Sequence, residues 1–62
     1  PRSYIRVAGE GPWDMVERER LIRAKVPELV ALGATVVREE RYGEALGHVV
    51  MQDPEGNEFC VA

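Results

Sequence analysis

His48-Val49-Val50-Met51-Gln52-Asp53-Pro54-Glu55-Gly56-Asn57-Glu58-Phe59-Cys60-Val61-Ala62 is the stretch whose reading decides the fold. Its centre, Asp53 to Asn57, is a turn: Pro54 presets φ near -65° and Gly56 supplies a positive φ. The flanks, Gly47–Gln52 and Glu58–Ala62, carry the β-branched and aromatic residues of strands. A five-residue turn between them predicts a hairpin in which Gln52 opposes Glu58, Val50 opposes Cys60 and His48 opposes Ala62. Opposed residues share a face. His48, Val50, Gln52, Glu58, Cys60 and Ala62 therefore line one side. Val49, Met51, Phe59 and Val61, all apolar, line the other.

Upstream, the pattern changes period twice. Ser3–Ala8 reads as a strand closed by Gly9-Glu10-Gly11-Pro12. Asp14 and Glu17 have the spacing of a capping box, and Ile22, Val26, Leu29 and Val30 recur at helical intervals. Glu19 precedes Arg23 by four residues, a supporting pair. A helix is expected from about Met15 to Leu32, ended by Gly33 at positive φ. Pro27 conflicts with that helix: it removes the bond to the Arg23 carbonyl, at roughly 3 kcal/mol. The expectation is a kink at Pro27 or two shorter helices. Ala34–Glu40 then reads as a strand, and Arg41–Gly47 as a turn leading into the hairpin. The order β-α-β-β-β makes the fold α+β, with the helix stripe packed on the apolar side of the sheet.

Sixty-two residues make one domain. A chain of this length buries only about 60% of the surface its unfolded form exposes, so its core is marginal. One cysteine excludes an internal disulfide framework, and one histidine excludes zinc-finger spacing. Oligomerisation or membership in a longer chain is the expected supplement. The net charge is -3, and the basic residues are scattered, which disfavours a nucleic-acid partner. No apolar run approaches the roughly 18 residues of a membrane span, and no signal peptide is visible. The lone thiol fits a reducing, cytoplasmic setting.

The mixed face carries an imidazole, a thiol, an amide and a carboxylate. Mixed polarity of this kind lines ligand pockets. An antiparallel sheet with one packed and one solvated face gives the same alternation without any function. His48 and Cys60 lie diagonally, roughly 7–8 Å apart at the backbone. That is within reach of imidazole activation of the thiol, yet no third group to orient the imidazole is evident. His48, Cys60 and Glu58 have no diagnostic metal-ligand spacing.

The segment from His48 to Val61, and DPEGNEFC within it, resembles the C-terminal signature of the glyoxalase/bleomycin-resistance/dioxygenase (vicinal oxygen chelate) superfamily, particularly its glyoxalase-like domain proteins. Leu29-Val-Ala-Leu-Gly-Ala-Thr35 resembles the end of that family's helix and the entry to its second strand. The resemblance implies a single βαβββ module, residues 1–62, with a mixed or antiparallel sheet and the helix on its convex side. Two such modules normally form a cupped sheet around a pocket. This chain resembles the second, so the expected partner is a missing N-terminal module or, in a homodimer, another copy.

Metal-dependent relatives take one ligand from the first strand and a glutamate from the last. The resemblance places those positions at Arg2, or Tyr4 with a slip of two, and at Cys60. No ordinary metal ligand set is therefore expected, and no cofactor, unless a divalent metal finds its ligands in another module. The resulting expectation is a metal-free module that contributes to a small-molecule pocket. His48, Val50 and Cys60 would form its wall, with Gln52 and Glu58 at the rim. Two alternatives are a glyoxalase-type lyase or isomerase with ligands from outside this chain, and a purely structural dimerisation module.

Overall fold

The structure, a computed structural model, describes residues 3–7 and 15–62. Strand β1 is Ser3–Ile5, helix α1 Met15–Ala31, β2 Thr35–Tyr42, β3 Ala45–Gln52 and β4 Glu58–Val61. They form the expected βαβββ module. One four-stranded sheet, in the order β1-β4-β3-β2, has a single helix against one face. β1 runs parallel to β4, while β2 pairs with β3 and β3 with β4 antiparallel. The expected capping box at Asp14, the Gly9–Pro12 closure and Ala8 lie outside the described residues.

The hairpin of β3 and β4 has the predicted register. Gln52 pairs with Glu58 and Val50 with Cys60, and the ladder ends at Val49 opposite Val61, one pair short of His48 and Ala62. Ala62 turns to β1, donating its N–H to the Ile5 carbonyl at 2.9 Å and accepting from the Val7 N–H at 2.8 Å. The turn is built around Asp53. Its Oδ1 accepts the backbone N–H groups of Glu55 and Asn57, each at 2.9 Å, and its Oδ2 accepts from Asn57 Nδ2 at 3.2 Å. Those bonds favour the charged carboxylate, so the Asp53 carboxyl titrates below its ordinary range, the Asn57 N–H contributing most.

Val49, Met51, Val61 and the half-buried Phe59 pack with Ile22, Val26 and Leu29, as the hairpin pattern requires. Val30 does not: it is 47% exposed, because it lies one position further round the helix than Leu29. Three further residues complete the core, the buried Ala34 and Leu46 and the half-buried Val7. Leu46 follows from a bulge. Between the pairs Glu40–His48 and Arg41–Leu46 the register shifts by one residue at Gly47, which turns Leu46 to the side of Val49 and Met51. A second shift, between Val36 and Arg38, leaves Val37 as the extra residue of β2.

Helix α1 runs through Pro27 as one element, so of the two expected forms, a kink or two shorter helices, the second does not occur. Proline removes a single bond, while Ile22 and Val26 before it and Leu29 after it are all held by the sheet. The helix ends in a Schellman arrangement. Gly33, at φ 106°, donates to the Val30 carbonyl and Ala34 to the Leu29 carbonyl, both at 3.0 Å. The expected turn over Arg41–Gly47 is much tighter than the sequence suggested. β2 extends to Tyr42 and β3 begins at Ala45, leaving Gly43 and Glu44 as a two-residue loop. Gly43 alone has positive φ, 63°, the pattern of a type II′ hairpin turn.

Candidate functional site

The face of the sheet opposite α1 carries the mixed residues. Strand alternation and register place them. β3 contributes His48, Val50 and Gln52; β4 contributes Cys60 and Glu58; β2 contributes Arg38 opposite Val50 and Glu40 opposite His48; β1 contributes Tyr4 opposite Cys60. Tyr4, Cys60, Val50 and Arg38 thus form one row across all four strands. All five residues expected at the pocket wall and rim share this face.

Their exposure differs. Val50 and Cys60 are fully buried, so they form the floor under their neighbours' side chains. His48 and Gln52 are half-buried, and Glu58 and Tyr4 are exposed. Gln52 is tied back to the hairpin turn, its Nε2 donating to the Gly56 carbonyl at 3.1 Å. His48 meets Tyr42 edge to face, ring centroids 6.3 Å apart at 62°. The Tyr42 ring also occupies the space above Gly47. A β-carbon there would lie 2.4 Å from Tyr42 Cε2, so the bulge residue has to be glycine while the ring stays in place.

Arg38 and Glu40 were not among the residues expected from sequence. Arg38 Nε donates to Glu40 Oε1 at 2.5 Å. That bond raises the Arg38 pKa, with smaller contributions from the charge of Glu40 and from Glu58 and Cys60 nearby. The face is therefore an apolar floor with aromatic rings at Tyr4, Tyr42 and His48 and a charged strip at Arg38, Glu40 and Glu58. Among the described residues no three His, Cys, Asp or Glu side chains converge to hold a metal ion. Of the family's ligand positions, Arg2 lies outside the described residues, and Tyr4 and Cys60 are a phenol beside a buried thiol. Two such side chains are too few to enclose a metal ion without donors from another module.

The helix side has its own groove of about 340 Å³, lined by Arg23, Val26, Pro27, Val36, Glu39 and Val49. Its charges are satisfied within the chain: Arg23 reaches Glu19 at 2.8 Å and Glu39 at 3.3 Å. Among the described residues no helix is long and apolar enough to cross a membrane. In comparisons with known proteins, the family model of the glyoxalase-like domain matches residues 10–62. No curated protein and no solved structure matches the chain.

Proposed function

The chain belongs to the glyoxalase-like domain family, and from that premise we propose that it is a metal-free module contributing one wall of a small-molecule binding pocket. The observation that carries this reading is the row Tyr4–Cys60–Val50–Arg38 on the helix-free face. An apolar floor flanked by rings and a few polar groups is what small-molecule sites are made of. The second wall comes from a paired module, either a preceding one or another copy. A lone sheet leaves β1 and β2 as unpaired edges and keeps Tyr4, Val36, Val37 and Tyr42 in solvent, surfaces that a partner module covers. In this reading His48, Gln52 and Glu58 orient the ligand, and Val50 and Cys60 shape the floor beneath it. The residues favour binding or sequestration over turnover, because the imidazole has aromatic and carboxylate neighbours and no arranged nucleophile.

Native mass spectrometry of the purified chain, followed by titration of a small aromatic ligand library while His48 ring signals are recorded by NMR, tests the proposal. A dimer in which some ligand class shifts His48 and Tyr42 together supports it. A chain whose His48 signals respond to no class overturns it.

A further inference from the structure

Where the unpaired β1 edge borders the helix-free face, the chain bears a second feature. Arg20 pairs with Glu17, Arg23 with Glu19 and Glu39, Arg38 with Glu40, and Arg41 with Glu39. Among the described residues only Arg6 and Arg18 lack a carboxylate partner, and both line the same groove, of about 170 Å³, with Tyr4 and Ala62. In a chain with more acidic than basic residues, two unpartnered guanidinium groups on one small groove are not a statistical leftover of excess positive charge. Their placement is also unfavourable without a ligand. Both side chains bring positive charge to one groove, and Arg18 stands in the first turn of α1, where the positive end of the helix dipole adds to its charge.

The geometry points to a binding site for a small oxyanion, a phosphate or carboxylate group, held between Arg6 and Arg18 with the Tyr4 hydroxyl as a further donor. Guanidinium forks present paired N–H groups that match such oxygens, and their bonds to an anion are charge-assisted. Bound there, the anion meets both positive charges and the helix dipole with the favourable sign. The groove, about 170 Å³, admits an oxyanion with room beside it. The site shares Tyr4 with the helix-free face, but its two guanidinium groups belong to this chain and need no partner module.

Titration with inorganic phosphate tests it, read from the arginine Nε–H signals in NMR spectra, with sodium chloride at matched ionic strength as the reference. Saturable shifts confined to Arg6, Arg18 and neighbours of Tyr4 are expected, weakened about tenfold or more in both Arg6→Gln and Arg18→Gln. Arg20→Gln, which removes a paired arginine on the same helix, should bind as the parent does. Shifts that chloride reproduces, or that persist in both variants, overturn the site. Circular dichroism of each variant confirms that the fold is retained, so a loss of binding reports the missing guanidinium.

Discussion

The Tyr42 ring lies where a β-carbon on Gly47 would stand, its Cε2 2.4 Å from that position and its Cδ2 2.7 Å. One residue thereby fixes the identity of the other across the β2–β3 hairpin. The bulge at Gly47 is what turns Leu46 into the core, and the ring over it is what touches His48. Gly47→Ala should therefore destabilise the chain by about 1–3 kcal/mol, the cost of overpacking a filled site. In a double-mutant cycle, Tyr42→Ala should remove most of that cost, whereas two independent effects would simply add. Urea midpoints of the four chains give the answer.

Pro27 gives a prediction of the opposite sign. The helix continues through it, so Pro27→Ala restores a backbone N–H to the Arg23 carbonyl without asking the core to move. An interior proline costs roughly 3 kcal/mol, and losing its restriction of the unfolded chain returns about 0.4–1 kcal/mol of that. A net gain of about 2–2.6 kcal/mol is expected in thermal or urea unfolding. No gain would mean that the ring's contacts in the groove beside Val26, Val36 and Val49 compensate for the missing bond.

These two positions also show what was legible in the sequence. The Asp53–Asn57 turn and the alternation on either side of it gave the β3–β4 register, the split of faces and the apolar set that meets α1, because turn length and a period of two leave little freedom. The β2–β3 hairpin was misjudged. Gly43 and Gly47 both read as turn glycines, and nothing local distinguishes the one that makes a type II′ turn from the one that sits under a tyrosine ring. The bulges shift the register by one, so Arg38 and Glu40 could not be assigned to the face of Val50 and His48 from pattern alone. Arg6, just past β1, and Arg18, in α1, come to one groove only through tertiary structure, twelve positions apart. The parallel pairing of β1 with β4 is likewise a long-range choice.

Asp53 should make stability depend on acid. Its folded pKa lies below the ordinary 3.8, so the folded chain binds its proton less readily than the unfolded chain. The contribution is then fully present above the unfolded value and disappears as pH falls through the folded one. Asp53→Ala should be less stable than the parent at pH 6, with the gap narrowing towards about pH 2. Glu17 and Glu19 are also lowered, by Arg20 and Arg23 respectively, and act in the same direction on the surface of α1. Measuring the gap between variant and parent, rather than the parent's curve alone, isolates Asp53. A gap independent of pH would show that the turn uses the side chain's shape and not its charge.

Cys60 lies at the centre of the helix-free face yet has no accessible surface, because Tyr4 and Val50 flank it on either side and the longer side chains of the face close over it. Its thiol should react with an aromatic disulfide reagent only when the sheet opens. The native rate should then fall below that of the urea-unfolded chain by the fraction of molecules transiently open, a factor of about a thousand or more for a domain stable by roughly 5 kcal/mol. Destabilising the chain by Gly47→Ala should accelerate the reaction in proportion to the lost stability, provided closing is faster than modification. Rapid native reaction at the unfolded rate would place Cys60 on an accessible wall and not in the floor. Any ligand of that face would then touch the sulfur directly, and thiol modification would block its binding.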